Sequence, residues 1–80
     1  AMLDARQAWQ FGLIPVGEDQ GEVILATTPR LLARAMRFAS WRLDQPSRFV
    51  ICEEHELSQA LQDLYPMPGV TKLPSLARAG

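Results

Sequence analysis

The spacing of apolar positions changes several times along the chain, and each change marks an element. Asp4 stands where it can cap a first helix with Ala5, Ala8 and Trp9 on one face and Phe11 near its end. Gly12 then supplies the left-handed residue that closes many helices. Leu13-Ile14-Pro15-Val16 is a short apolar run and reads as a strand. Pro15 lacks a ladder N–H, so its position belongs at an edge or an irregularity. Gly17-Glu18-Asp19-Gln20-Gly21 has the polarity and bounding glycines of a hairpin loop. Residues 22–26 return as a second strand, apolar on both faces and therefore expected to be well covered.

Thr28-Pro29 then combines a hydroxyl cap with Pro at a first helical position. In the helix predicted after it, Leu31, Leu32, Ala35, Phe38 and Ala39 share one stripe. A polar break around Gln45-Pro46 leads to a third strand over residues 48–52, with Phe49 and Ile51 on one face and Val50 and Cys52 on the other. Glu53, Glu54 and Glu56 crowd the next helix start, where the helix dipole favours acids. Leu57, Ala60, Leu61 and Leu64 follow at helical spacing, and the helix closes near Tyr65. Pro66, Pro68, Gly69 and Pro74 carry no period, so residues 66–80 read as a mobile tail or linker.

The expected fold is therefore one α+β domain over residues 1–65, in the order α-β-β-α-β-α, with helices packed on a small three-stranded sheet. The third strand can join beside the first, making all neighbours antiparallel in the order 2-1-3. It can instead join beside the second, in parallel. The antiparallel order is the expectation adopted.

Bulk properties narrow the function classes. Eighty residues bury one modest core and enclose no deep reaction cavity. A net charge of −1 offers no general attraction for nucleic acid or anionic lipid. No apolar run reaches the roughly 18 residues of a membrane span. Cys52 is the only cysteine and His55 the only histidine, so an internal disulfide and a thiolate zinc site are both excluded. His55 sits among Glu53, Glu54 and Glu56, but carboxylates adjacent on a helix point in different directions, and the plain reading is a solvated acidic turn. Cys52 could be activated by the helix that follows it, with His55 as base. Its place at the end of an apolar strand favours a small packed side chain instead. Nucleophile-elbow, phosphate-loop and dinucleotide motifs are all missing. The expectation is no enzyme activity, no cofactor and no metal.

Arg30, Arg34 and Arg37 stand out. At helical spacing they lie within roughly 60° of one another, opposite the apolar stripe, and Trp41 joins them if the helix reaches that far. Arginine forks grip carboxylate or phosphate, and an aromatic among them is a recurring interface composition. These four residues are the candidate contacts for a protein partner or an anionic ligand. The plainer reading is a solvated helix face with Trp41 turned into the core.

Taken together, several of these segments resemble the N-terminal regulatory domain of type II secretion and type IV pilus assembly ATPases, most closely its α/β half, over about residues 5–65. The resemblance rests on the helix ending Phe11, the strand Leu13-Ile14-Pro15-Val16, the Gly-bounded turn into Gly21-Glu22-Val23-Ile24-Leu25-Ala26, Thr28-Pro29, Arg37-Phe38, the run Val50-Ile51-Cys52-Glu53-Glu54, and the helix through Ala60-Leu61 to Tyr65. Similar modules are attached to bacterial membrane glycosyltransferases resembling a phage adsorption protein. Fuller members of the family bind cyclic di-GMP through repeated Arg-Leu-Gly and Leu-x-x-Ala-Leu elements. This chain has no Arg-Leu-Gly, and Leu57-Ser58-Gln59-Ala60-Leu61 matches the second element only in residues that helix packing already explains.

The resemblance implies a non-catalytic regulatory and protein-interaction module of a larger bacterial secretion, pilus or membrane glycosyltransferase protein, whose parent can itself be an ATPase or glycosyltransferase. Its implied place is cytoplasmic, at the inner face of the inner membrane through that parent. Its implied partner is a neighbouring domain or subunit of a membrane-associated machine, with cyclic di-GMP sensing as the alternative. Neither nucleic acid binding nor direct membrane insertion is expected.

Overall fold

The computed structural model describes residues 3–73. Its elements are α1 (Ala5–Phe11), β1 (Ile14–Asp19), β2 (Glu22–Thr27), α2 (Leu32–Arg42), β3 (Ser47–Ile51) and α3 (Glu54–Leu64). The expected order of six elements is the observed one.

Local chemistry sets most boundaries. The Asp4 carboxylate accepts from the Gln7 N–H at 2.8 Å while the Gln7 side chain accepts from the Asp4 N–H at 3.2 Å, a reciprocal cap that starts α1. Gly12 ends it with φ +69° and donates its N–H to the Ala8 carbonyl. An added Cβ at Gly12 would meet the Leu31 side chain at 2.4 Å, so the position needs glycine for both conformation and space. The hairpin loop is shorter than the glycine spacing predicts. A bulge between Pro15 and Gly17 carries β1 on to Asp19, and Gln20 and Gly21, at φ +52° and +83°, make a two-residue turn whose twist matches the strands.

The sheet corrects the expected topology. Strand order is β1-β2-β3, with β1 antiparallel and β3 parallel to β2, so the sheet is mixed and not the antiparallel 2-1-3 arrangement. The physical reason lies in the two hairpin strands. Pro15, the bulge and the acidic end Glu18-Asp19 suit β1 to an edge, whereas β2 is apolar on both faces and belongs in the middle. Ile14 and Ala26 pair across one face, and Val23 and Leu25 lie on the other; all four are buried. Helix α2 is then the crossover that parallel neighbours require.

One core joins Leu3, Trp9, Leu13, Leu25, Leu31, Phe38, Leu57 and Leu61 with smaller residues. Thr27 and Thr28 are the buried polar residues among those described. The Thr27 hydroxyl donates to the Gly12 carbonyl at 2.6 Å, tying β2 to the end of α1. The Trp9 indole donates to the Tyr65 carbonyl at 2.8 Å, tying α1 to the end of α3. Met67, Val70 and Leu73 pack against the core, and the Ser58 hydroxyl donates to the Thr71 carbonyl at 2.9 Å. Over residues 66–73 the Pro/Gly segment thus lies along α3; residues 74–80 fall outside the described residues.

Candidate functional site

Two clefts meet beside the first and middle helices. A groove of about 480 Å3 is lined from α1 by Arg6, Gln10 and Phe11 and from α2 by Arg37, Phe38, Trp41 and Arg42. A shallower neighbour of about 670 Å3 shares Trp41 and Arg42 and continues to Leu43, Asp44 and Gln45. The groove's apolar lining includes the Phe11 and Phe38 rings, stacked with centroids 4.7 Å apart. Trp41 is 79% exposed on the last turn of α2. The helix does reach it, and it does not turn into the core.

The structure brings only part of the predicted arginine set to this face. Leu31 donates its N–H to the Thr28 carbonyl at 3.1 Å and lies 3.3 Å from the Thr28 hydroxyl, so a turn precedes α2 and the helix begins at Leu32. Thr28-Pro29 therefore opens that turn and does not cap the helix. Arg30 is left off the helical face and forks onto the Glu54 carboxylate in the first turn of α3, with Nη2 3.0 Å from Oε1. That hydrogen-bonded guanidinium holds the Glu54 carboxyl below the usual carboxylate range. Arg34 donates to the Gln10 carbonyl at 3.1 Å, a cation satisfying the end of α1. Arg30 and Arg34 thus brace elements, and Arg37 and Trp41 line the groove.

Arg6, Gln10 and Arg42 join them, and the single-helix reading missed them because they come from a second helix and from the helix's last residue. Arg6 and Gln10, four apart and away from Ala8, were the available signal. Among the described residues, the side chains of Arg6, Arg37 and Arg42 make no ion pair or hydrogen bond. Asp4 at the groove's edge is occupied with its cap.

The groups considered for catalysis do not assemble. Burial, and secondarily the Glu56 charge, push the Cys52 thiol above its ordinary range, opposite to the activation a helix start would supply. His55 is exposed with Nδ1 3.4 Å from a Glu53 carboxylate oxygen. The cleft beside it is lined by Glu54, Ser58, Thr71, Lys72 and Leu73, and Cys52 is not part of it. Among the described residues no three His, Cys, Asp or Glu side chains come close enough to hold a metal ion, no helix is long and apolar enough to cross a membrane, and no buried side-chain polar atom lacks a partner. The arrangement can grip carboxylates or phosphates and stack on an apolar or aromatic group. Neither Cys52 nor His55 lines either of the two clefts beside α1 and α2.

A family model, the MshEN domain, matches residues 1–71. The chain belongs to the MshEN domain family. This is the N-terminal domain of type II secretion and type IV pilus assembly ATPases, as the resemblance drawn from the α/β segments anticipated. MshEN is a small regulatory domain and not a catalytic one. Comparison with curated proteins and with solved structures yields no match. The family match runs beyond Tyr65 and takes in residues 66–71, most of the segment that packs along α3.

Proposed function

We propose that this MshEN domain is a non-catalytic regulatory module that docks, through its α1–α2 groove, onto a neighbouring domain or subunit of a larger bacterial secretion, pilus or membrane glycosyltransferase protein. The observation that carries this reading is Trp41, 79% exposed between Arg37 and Arg42 over an aromatic-lined groove. An indole left in water beside unengaged guanidinium groups has the composition of an interface hot spot. The partner surface is acidic with an apolar side chain at its centre. In a bacterial cell the domain works on the cytoplasmic side, held at the inner membrane by its parent. The test is affinity for the parent's adjoining soluble domain: Arg37→Glu with Trp41→Ala weakens it at least about tenfold, the usual hot-spot scale. Unchanged affinity at low salt removes this face from the function.

A second reading is a cyclic di-GMP sensor, favoured by the same pairing of an aromatic platform with arginines, which suits a base and its phosphates. Against it stand the engagement of Arg30 with Glu54 and of Arg34 with Gln10. Calorimetry with cyclic di-GMP separates the two. Absence of heat leaves docking; heat abolished by Arg37→Glu supports the sensor.

A further inference from the structure

Strand β3 is bonded to β2 alone among the described residues, and its other edge is open. The Val23 N–H donates to the Pro46 carbonyl at 2.9 Å and the Cys52 N–H to the Thr27 carbonyl at 2.8 Å, bracketing the parallel ladder. Alternation between these two bonds turns the backbone groups of Arg48 and Val50 toward β2. Those of Ser47, Phe49 and Ile51 therefore point away from the sheet.

The two edges of the sheet are treated differently. On β1 a proline, a bulge and two acidic residues discourage strand addition. Strand β3 has neither proline nor bulge. Its one charge, Arg48, reaches back across the sheet to Asp19 at 3.3 Å. Val50 and Ile51 are 43% and 52% exposed beside the open edge.

We propose that this edge pairs with the same edge of a second copy of the chain, antiparallel about a two-fold axis through Phe49. In that register Phe49 faces Phe49 and Ser47 faces Ile51, so every outward N–H and C=O finds a partner at once. Arg48 falls opposite Val50 and never opposite its own copy, so like charges do not meet directly. The central aromatic pair adds cross-strand contact. A shift of one residue sets outward groups opposite Arg48 and Val50, whose own groups face β2, and loses these bonds. One-residue slips are therefore excluded, and the pairing is independent of the α1–α2 groove. Five residues a side make a small interface, so the pairing is weak and reversible.

Sedimentation of the 80-residue chain between about 10 μM and about 1 mM, the range of weak interfaces, tests the pairing together with amide exchange read by NMR. The expected result is a monomer–dimer equilibrium in which the Ser47, Phe49 and Ile51 amides gain protection with concentration, while those of Arg48 and Val50 are protected throughout. Ile51→Lys weakens association at least about tenfold, whereas Leu64→Lys, on the exposed face of α3, does not. A monomer at every concentration overturns the proposal. So does a dimer, with this chain or through another surface, in which those three amides exchange as fast as in the monomer.

Discussion

Arg30 and Glu54 are joined by a two-pronged ion pair that links the turn after β2 to the first turn of α3. Both side chains are partly exposed, so the pair contributes at most about 1 kcal/mol. Because the folded state lowers the Glu54 pKa, its contribution is present above the ordinary carboxylate range and is lost as pH falls through the lowered value. Glu54→Gln should reduce stability slightly at neutral pH and flatten the acid limb of a denaturation series. Partner affinity should not change. Loss of affinity in Glu54→Gln would return Arg30 to the docking surface.

Trp9 and Trp41 should report on opposite environments. Trp9 is 4% exposed and hydrogen-bonded to Tyr65, whereas Trp41 stands in water. Trp41→Phe should remove nearly all iodide-quenchable fluorescence and leave thermal stability within about 0.5 kcal/mol. Trp9→Ala should cost about 3–5 kcal/mol. Because a domain of this size holds only about 5–10 kcal/mol, that variant should be marginally folded.

Gly12 is the backbone position most sensitive to substitution. Gly12→Ala combines a left-handed φ with a clash against Leu31, a neighbour in the core. We expect a loss of about 2–3 kcal/mol, read from urea midpoints. Gly17→Ala meets nothing within 4 Å and should be nearly neutral. Equal effects at the two positions would contradict the packing described.

Cys52 should behave as a structural thiol. Burial raises its pKa, so the folded state favours the neutral form. The associated stability is present below the unfolded thiol pKa and declines as pH rises through the raised value. Labelling by a disulfide reagent should be slow at pH 7 and accelerate on unfolding. Rapid labelling of the folded chain would revive a catalytic thiol.

The elements were legible because each carries its own local signal: the Asp4 cap, the Gly12 stop, the β2 apolar run and the spacing of Leu57, Leu61 and Leu64. Strand order was not, although Pro15 already pointed β1 to an edge; pairing depends on contacts far apart in sequence, and edge preference had to be weighed against hairpin geometry. For the site, spacing along one helix placed Arg37 and Trp41 together. It could not show that Thr28 would delay the helix and free Arg30 for Glu54. Nor could it show that Arg34 would turn to the Gln10 carbonyl while α1 contributed Arg6.

In the proposed function the domain acts by its exterior, through the face shared by α1 and α2. Amide and indole chemical-shift mapping of the labelled chain, on addition of the parent's adjoining soluble domain, tests this most directly. Shifts should concentrate at Arg6, Gln10, Phe11, Arg37, Trp41 and Arg42, with the Trp41 indole among the largest. Saturable binding that leaves those residues unmoved and perturbs another surface would contradict it.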